Sequence, residues 1–506
     1  MGMTTSDSRG PIGRRSFLRL GAGLAATAGL AACASGADPA GKRIAPGSPR
    51  VAEVERARRL AGARSTSVVL NAVSARVDLG GVEVQTWAYG GQLPGREIRV
   101  RRGEILKVEL KNQLPEPTSI HWHGIALRND MDGVPGLTQD DIGVGTSFTY
   151  EFAVPDAGTY FFHPHSGVQL DRGLYAPLIV EDPDDGADYD TELVIVLDDW
   201  LDGVDRTPDA VLQELKKNGM GGMGGMDHGS MPGMTMPKSE LLGGDAGDVT
   251  YPHVLANGRT FRDPQAIEAK AGQRVRLRLI NAAADTAFRV GVPGSRLRIT
   301  HTDGFPVQAQ EADVVLIGMG ERLDAVVTVP AGSVPVLAVA EGRDQYAQVV
   351  LRTPAAQPVV VEDGLVKKLM ALPVLMPASL RAAERVALPV KQPDVVHELV
   401  LEGPGDRYTW TINGKVYDPN DGLPIREGQQ VRLRFDNRSR MFHPMHLHGH
   451  TFQVRADGPR KDTVLVLPGR STEVDFKADN PGQWLTHCHN IYHGEVGMMS
   501  VVSYVE

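Results

Sequence analysis

Residues 103–112 read GEILKVELKN, and the pattern recurs as GQRVRLRLIN at 272–281 and as GQQVRLRFDN at 428–437. Each copy places alternating apolar residues between a glycine and an asparagine nine positions later. Such alternation, bounded by turn residues, predicts a half-buried β-strand. The copies begin 169 and 156 residues apart, about one β-sandwich domain each. The sequence therefore predicts three sandwich domains.

The composition agrees with an all-β protein. A chain of 506 residues is too long for one ordinary core. Its 42% hydrophobic and 23% charged residues are typical of soluble globular proteins, and 34 prolines with 57 glycines favour many turns. The net charge of −9 argues against nucleic acid as a partner.

Two polar linkers containing proline and glycine set the predicted domain limits. They read EDPDDGADYD at 181–190 and RTPAAQPVVVEDG at 352–364. We expect domains at 66–182, 188–353 and 375–506, preceded by a signal segment at 1–34.

The first residues have the pattern of a twin-arginine export signal. Arg14 and Arg15 precede Phe17 and an Ala/Gly/Leu run that is too short to span a bilayer. Residues 30–33 read LAAC and fit a lipobox that would lipidate Cys33; cleavage at an A-x-A site around Cys33 is the alternative. A chance Arg-Arg pair before a core helix is the competing explanation of the whole segment. We expect location in the cell envelope, the periplasm or the cell surface, with membrane contact only through Cys33.

A second repeat carries histidines in two of its three copies. PDAGTYFFHPH ends at His165 and DNPGQWLTHCH ends at His489, whereas the middle copy, VPAGSVPVLAV, has aliphatic residues at the matching places. The positions that follow the first repeat behave alike, with histidine pairs at 121/123 and 446/448 but Val290 and Val292 in the middle copy. This predicts a metal site shared by the first and third domains, with the second domain as a spacer.

Four H-x-H pairs result from these repeats. Residues i and i+2 of a strand point to the same face, so each pair presents two imidazoles side by side. An imidazole-rich site with few carboxylates suits copper or zinc rather than calcium or magnesium. The alternative, structural histidine pairs, becomes weaker when four pairs occupy matching repeat positions. For four further histidines a structural role is the better interpretation: His253, His301, His397 and His450.

Cys488 has no partner for a disulfide, because Cys33 belongs to the signal segment. It lies between His487 and His489, so strand alternation turns its sulfur to the opposite face. His443 and His493 are the remaining candidate ligands there, and Met498 lies ten residues beyond Cys488. Two imidazoles, a thiolate and a weak axial thioether make a blue-copper electron-transfer site.

HWHG (121–124), HPHS (163–166), HPMHLHGH (443–450) and HCHNIYHGEVGM (487–498) resemble the motifs of the multicopper oxidases in order and spacing. The resemblance covers essentially the whole chain after the signal. The subgroup that looks most similar is the bacterial laccase-like cuprous oxidases exported by the twin-arginine route, including copper-resistance lipoproteins. It implies three cupredoxin-like Greek-key β-sandwiches and four copper ions.

The resemblance also implies which residues bind each copper. The type 1 copper would take His443, Cys488 and His493, with Met498 axial. The type 2 copper would take His121 and His446. The type 3 pair would take His123, His163 and His489 on one ion and His165, His448 and His487 on the other.

The implied reaction passes single electrons from a reductant through Cys488 to His487 and His489, and reduces O₂ to water at the three-copper cluster. The implied partners are O₂ and either Cu(I) or small aromatic reductants, and we expect a monomer. Met498 in place of a leucine implies a type 1 potential at the lower end of the family's range.

Proton delivery follows the family pattern only in part. Asp132, in NDMDGVPG, resembles the family's acidic residue near the type 2 copper, although a turn aspartate before Gly133 explains it equally well. Many bacterial members have a glutamate directly after the second type 1 histidine. Here Gly494 stands at that place, and Glu495 follows as the substitute candidate.

A methionine tract fills a predicted insertion at 218–237. Its glycines disfavour a core helix, and soft thioethers select Cu(I). We hypothesise that the tract captures Cu(I); a tolerated low-complexity insertion is the alternative. The candidate ligands are Met220, Met223, Met226, His228, Met231, Met234 and Met236.

We weigh four functions from the sequence. A cuprous oxidase serving copper detoxification leads, and only the methionine tract favours it over a laccase acting on phenols or aromatic amines. A non-catalytic copper-storage lipoprotein would need neither Cys488 nor eight clustered histidines. A three-domain copper nitrite reductase would not need all four H-x-H pairs.

Overall fold

The computed structural model describes residues 41–182, 185, 188–222, 237–354, 361, 363–389, 391–405, 407–455 and 457–506. The predicted export signal with Cys33 lies outside the described residues, as do His228 and all but the first of the tract methionines. Among the described residues, no helix is both long and apolar enough to cross a membrane.

The first sandwich pairs a sheet of order β2-β1-β4-β6 with a sheet of order β3-β8-β7-β5. Helix α1 (Pro49–Arg58) precedes it, capped by the Ser48 side chain. Short 3₁₀ helices cover Asn129–Met131 and Gln169–Arg172. The strands are β1 (Ser65–Asp78), β2 (Glu83–Tyr89), β3 (Ile98–Arg101), β4 (Ile105–Gln113), β5 (His121–His123), β6 (Ser147–Ala153), β7 (Gly158–His163) and β8 (Ala176–Glu181).

The middle sandwich has two six-stranded sheets, of order β12-β9-β14-β19-β16-β17 and β13-β21-β20-β15-β18-β22, with a small β10-β11 hairpin beside them. Helix α2 spans Pro208–Gly222 with a break at Gly219, helix α3 spans Asp363–Met370, and 3₁₀ helices cover Pro377–Ser379 and Glu384–Val386. The strands are β9 (Thr191–Trp200), β10 (Lys238–Ser239), β11 (Gly244–Asp245), β12 (His253–Ala256), β13 (Ala266–Glu268), β14 (Arg274–Asn281), β15 (Phe288–Gly291), β16 (Leu297–Thr302), β17 (Phe305–Ala312), β18 (Val314–Ile317), β19 (Arg322–Thr328), β20 (Ser333–Ala340), β21 (Tyr346–Arg352) and β22 (Val374–Leu375).

The third sandwich has sheets of order β24-β23-β26-β31-β28-β29 and β25-β33-β32-β27-β30. Helix α4 (Ile491–Glu495) follows β32 directly. The strands are β23 (Val395–Glu402), β24 (Thr411–Ile412), β25 (Gly422–Ile425), β26 (Gln430–Asn437), β27 (His443–Leu447), β28 (Phe452–Val454), β29 (Arg460–Lys461), β30 (Thr463–Val466), β31 (Ser471–Lys477), β32 (Gln483–Cys488) and β33 (Met499–Tyr504).

The ten-residue repeat forms the same strand in each of the three sandwiches. Strands β4, β14 and β26 each pair in parallel with the strand that opens their sandwich and antiparallel with one later strand. The predicted all-β class with three cupredoxin-like Greek-key sandwiches is confirmed. The domain limits inferred from the linkers stay predictions.

The asparagine that ends each repeat has one role in all three sandwiches. In every copy its side-chain amide donates to two backbone carbonyls, and its carbonyl accepts the backbone N–H two residues on. The three asparagines are almost fully buried, so these bonds satisfy groups that water cannot reach. The three asparagines are Asn112, Asn281 and Asn437.

Candidate metal centre

The eight histidines of the H-x-H pairs, called here the histidine cluster, come from two strand pairs. Strand β5 lies antiparallel to β7 with His121 opposite His163, and β27 lies antiparallel to β32 with His446 opposite His487. The second member of three pairs falls just past a strand end. Seven of the eight are buried and His165 is partly exposed.

The structure brings these side chains together between the first and third sandwiches. His448 Nε2 lies 3.0 Å from His487 Nε2, and His165 Nε2 lies 3.4 Å from the same atom. The rings of His121 and His448 stack with centroids 3.7 Å apart, and those of His123 and His446 stack at 3.8 Å. Three cluster histidines, His165, His448 and His487, have ligand atoms within 4.8 Å of one another.

Several buried ring nitrogens of the cluster have no hydrogen-bond partner among the described residues. They are His121 Nε2, His123 Nδ1, His163 Nε2, His446 Nε2 and both nitrogens of His489. Unsatisfied buried polar atoms are rare in proteins and need an explanation. Imidazole lone pairs that converge without protein partners fit metal ligands, and the donor type fits copper.

Burial lowers the pKa of most cluster histidines. For His123, His163 and His165 burial is the largest cause, and neighbouring histidines lower the pKa further. The same holds for His448, His487 and His489, where desolvation again comes first. These rings are therefore neutral near pH 7, which is the form that binds a metal ion.

Two buried carboxylates hold the opposite ring nitrogens. Asp132 Oδ2 lies 2.9 Å from His448 Nδ1, and the Asp132 backbone carbonyl lies 3.0 Å from His121 Nδ1. Asp462 Oδ1 lies 3.1 Å from His123 Nε2 and 3.4 Å from His446 Nδ1. Each carboxylate thus contacts histidines of both sandwiches and fixes which nitrogen faces the centre.

Cys488, His443 and His493 form a second group, called here the cysteine site. Cys488 Sγ lies 3.5 Å from His443 Nδ1 and 3.6 Å from His493 Nδ1, and the two Nδ1 atoms lie 3.2 Å apart. All three side chains are fully buried. Burial raises the pKa of the Cys488 thiol, so ionising this sulfur requires a metal ion or another cation.

Local hydrogen bonds explain why the chain turns after Cys488 and places His493 next to it. The Asn490 side chain caps α4 by accepting the backbone N–H groups of Tyr492 and His493, which starts a helix directly after the strand. The backbone N–H of Cys488 donates to the Met498 carbonyl at 3.0 Å. Met498 is fully buried beside this turn, and its axial role stays a prediction.

The outer nitrogens of the cysteine site also have defined partners. His443 Nε2 lies 2.8 Å from Ser439 Oγ, and His493 Nε2 lies 2.8 Å from Asp248 Oδ2. The Trp410 ring stacks on His493 with centroids 3.9 Å apart. These contacts fix both imidazoles with Nδ1 toward the sulfur.

Glu495 lines a cavity of about 840 Å³ that reaches His165 and the helix residues Asp209 and Lys216. It also lines a void of about 30 Å³ bounded by His163, His487 and His489 among others. Burial raises the pKa of Glu495 to about 7. The substitute acid therefore lies beside the histidine cluster.

The remaining predicted residues are the methionine tract and the histidines for which a structural role was expected. Met220 lies in the last turn of α2, and the other tract residues lie outside the described part of the chain. His450 is a structural histidine, as expected, bonded to the Tyr504 hydroxyl at 2.7 Å and to the His448 carbonyl. His301 contacts Asp185, and His397 contacts the Pro424 carbonyl.

The sequence patterns did not identify the residues that contact the outer ring nitrogens of the candidate ligands. Asp248, Ser439 and Asp462 come from loops or strand ends, at no fixed spacing from the histidines they contact. A partial signal existed for Asp462 and Ser439, because each lies within twenty residues of an H-x-H or H-x-x-H motif in the third sandwich. No repeat marked Asp248.

Comparisons with known proteins agree with this centre. Family models described as multicopper oxidase match residues 72–185, 191–346 and 389–506. The multicopper oxidase MmcO of Mycobacterium tuberculosis is 44% identical over 504 residues, which span 97% of this chain and 96% of that protein.

Two more distant proteins are similar to this chain over most of its length. A copper resistance protein A homolog of Pseudomonas syringae pv. tomato is 26% identical, and the match spans 97% of this chain and 98% of that protein. The crystal structure of the laccase from Botrytis aclada is 25% identical with a TM-score of 0.69, covering 88% of each chain.

Proposed function

The chain belongs to the multicopper oxidase family and is a copper-dependent oxidoreductase, and from that premise we propose that it oxidises Cu(I) and reduces O₂ to water. Four Cu(I) ions would each lose one electron, and O₂ with four protons would become two waters. The role we propose is copper detoxification outside the cytoplasm.

One observation carries the proposal: three consecutive residues join the two groups of ligands. The sulfur of Cys488 belongs to the cysteine site, while the flanking His487 and His489 belong to the histidine cluster. Copper bound at both places would accept single electrons and deliver four of them to O₂. The chain itself contributes a buried covalent connection between the sites, since one peptide bond links Cys488 to each of the two flanking histidines.

We propose the ligand sets that the family resemblance implies, for four copper ions. Unpaired nitrogens in the cluster and the close Sγ and Nδ1 atoms of the cysteine site support this division. The type 1 set is His443, Cys488, His493 and Met498; the type 2 set is His121 and His446; the type 3 sets are His123, His163 and His489, and His165, His448 and His487.

Two acidic residues would take part in proton delivery to the cluster, in different ways. Asp132 is fully buried and contacts His121 and His448, so it can pass a proton only within the cluster's own hydrogen-bond network. Glu495 borders both the open cavity and the small void at the cluster. We assign Glu495 as the residue that brings protons from solvent, one position later than in many bacterial relatives.

The position of α2 supports Cu(I) as the substrate. Lys216 and Asp209 of this helix line the same cavity as Glu495. A Cβ on Gly219 would lie 3.8 Å from the backbone of Arg407 and Tyr408, and the Tyr408 hydroxyl donates to Asp248 behind His493. The methionine tract therefore begins next to residues that contact the cysteine site.

The test compares O₂ uptake with Cu(I) and with a phenol in three proteins. They are the natural chain, a variant with the six tract methionines changed to leucine, and a deletion of 218–237. We expect both variants to oxidise Cu(I) with a lower kcat/KM, and phenol oxidation to be unchanged or, in the deletion, faster. Unchanged Cu(I) kinetics in both variants would refute the role of the methionine tract in Cu(I) capture, and Cys488→Ser serves as the inactive control.

The second candidate is a laccase acting on phenols or aromatic amines. The similarity to the Botrytis aclada laccase supports it. It predicts that the natural chain consumes O₂ faster with the phenol than with Cu(I). O₂ uptake at background level in fully copper-loaded protein would instead favour storage.

We also propose export by the twin-arginine route, with Arg14 and Arg15 as the signal and Cys33 as the lipidated residue. The twin-arginine route exports proteins that have already folded. Such a route suits a centre whose ligands come from two sandwiches that lie far apart in the sequence. The protein would then act at the cell envelope as a monomer.

A further inference from the structure

The middle sandwich contributes no histidine to the cluster, yet one of its turns lies against it. The turn joins β18 to β19 and reads GMGER at 318–322. Gly320 has φ +80°, and a Cβ there would lie 2.8 Å from His489 Cδ2 and 3.0 Å from His123 Cε1. Only a residue without a side chain lets this backbone contact the two rings.

Arg322, at the end of the same turn, binds the carboxylate behind two cluster histidines. Its Nη1 donates to Asp462 Oδ1 at 2.7 Å and its Nη2 donates to Asp462 Oδ2 at 2.5 Å. Its Nε donates to the Thr159 carbonyl of the first sandwich at 3.2 Å, and Nη1 also donates to the Gly320 carbonyl at 2.9 Å. A planar guanidinium in this bidentate arrangement fixes the orientation of the carboxylate, not only its charge.

A second middle-sandwich residue holds the backbone on which Asp462 lies. Asp303 Oδ2 accepts the backbone N–H groups of Asp462 and Thr463, both at 3.2 Å, and lies 3.0 Å from Lys461 Nζ. Asp303 Oδ1 accepts the Arg322 backbone N–H at 2.9 Å. Arg322, Asp303, Lys461 and Asp462 are all fully buried.

Stability alone is a poor explanation for this arrangement. A buried ion pair adds little net stability, because desolvating both charges offsets their attraction. Here the buried charges meet at the one point where Asp462 contacts His123 of the first sandwich and His446 of the third. The glycine of HWHG leaves room for this contact, since a Cβ on Gly124 would clash with Arg322 Nη2 and would lie 2.6 Å from Asp462 Oδ2.

We propose that Arg322 is a positioning residue of the histidine cluster, through which the middle sandwich sets the geometry of metal ligands that it does not itself provide. Arg322 orients Asp462, and Asp462 orients His123 and His446 on opposite sides of the boundary between the sandwiches. This inference rests on the proposed copper centre. It replaces the expectation that the second domain is only a spacer.

The test measures copper retention at the two sites separately, in Arg322→Gln and Arg322→Lys. Arg276→Gln is the matched control, because Arg276 is a buried arginine of the same sandwich whose partners are Asp185, Asp324 and His301. Copper-loaded proteins are dialysed against a chelator, then assayed for total copper, for the blue absorption of the cysteine site and for the paramagnetic signal of non-blue copper.

We expect Arg322→Gln to lose cluster copper at roughly 10- to 100-fold lower chelator concentration, while the blue band persists and reports a folded protein. Arg322→Lys should be intermediate, because one ammonium cannot make two parallel bonds. Arg276→Gln should retain copper at both sites. If Arg322→Gln does not fold, Arg322→Lys decides: weakened cluster retention supports the proposal and normal retention overturns it.

Two results would overturn the inference. One is full retention of cluster copper in the folded Arg322 variants, and the other is equal loss in Arg276→Gln. Absence of cluster copper in the natural protein would instead refute the proposed function, so the two failures are distinguishable.

Discussion

Each histidine of the cluster has two ring nitrogens, and the protein uses them differently. In His121, His163 and His446 the Nδ1 atom contacts a backbone carbonyl while Nε2 stays unpaired. His123 is reversed, because Asp462 takes its Nε2 and leaves Nδ1 unpaired. The carbonyls and carboxylates behind the rings therefore select the tautomer that each ring presents to a metal ion.

Glu495 leads to a pH prediction at the same scale. Its raised pKa of about 7 means that the carboxyl is protonated below pH 7 and ionised above it. If it brings protons to the cluster, turnover should fall as pH rises through about 7. Glu495→Gln should lower turnover roughly 100-fold below pH 7 and abolish that pH step.

The measurement is steady-state O₂ uptake from pH 5 to 9 with ferrocyanide, a reductant that releases no proton. Asp141→Asn is the control, because Asp141 lines the same open cavity but not the small void at the cluster. An unchanged pH profile in Glu495→Gln would remove Glu495 from the proton route.

At the scale of secondary-structure elements, the ten-residue repeat ends in an asparagine that lies at or next to the end of strands β4, β14 and β26. The asparagine at its end binds backbone groups of the next loop, so strand, loop and facing sheet are fixed together. In the third sandwich the hydrogen bonds of this asparagine also extend to a candidate metal ligand. Asn437 Oδ1 accepts from Ser439, whose hydroxyl lies 2.8 Å from His443 Nε2.

Substituting alanine at two of these asparagines should separate folding from function. Asn281→Ala and Asn437→Ala each leave buried backbone groups unpaired, so each should lower the free energy of unfolding by about 3 kcal/mol. Only Asn437→Ala should also shift the blue absorption band, because only that copy supports His443. Urea unfolding and visible spectra measure the two effects, and an equal spectral shift in Asn281→Ala would contradict this account.

At the scale of the whole molecule, the histidine cluster joins the first and third sandwiches. Metal bound there stabilises the native state by mass action, about 4 kcal/mol at a free concentration 1,000 times Kd. Removing copper should therefore lower the thermal unfolding midpoint, and reloading should restore it. Calorimetry of the natural, metal-free and reloaded proteins measures this, with Mg²⁺ as the control ion that an imidazole site should not bind.

Identical midpoints for the metal-free and loaded proteins would contradict that expectation. It would mean that the metal ion does not bind the native protein more tightly than it binds the unfolded chain.

Local sequence patterns predicted the parts of this structure that depend on short spacings. Alternation identified β4, β14 and β26, and the i, i+2 rule identified the histidine pairs and the opposite facing of Cys488. Asp248, Asp462 and Arg322 could not be predicted in this way. Asp248 contacts His493, Asp462 contacts His123, and Arg322 contacts Asp462. The two residues of each pair lie far apart in the sequence, and no spacing rule connects them. Because the contact between Arg322 and Asp462 follows no sequence pattern, the middle sandwich was predicted from the sequence to be only a spacer.

The order of ligands along the chain has a consequence for biosynthesis. His121 is synthesised early, and His487 follows it 366 residues later, together with Cys488 and His489. Because these three residues belong to both groups of ligands, a chain whose synthesis stops before His487 can complete neither the histidine cluster nor the cysteine site. Copper can therefore be bound at a complete site only after the ligands from both ends of this 366-residue interval have been made.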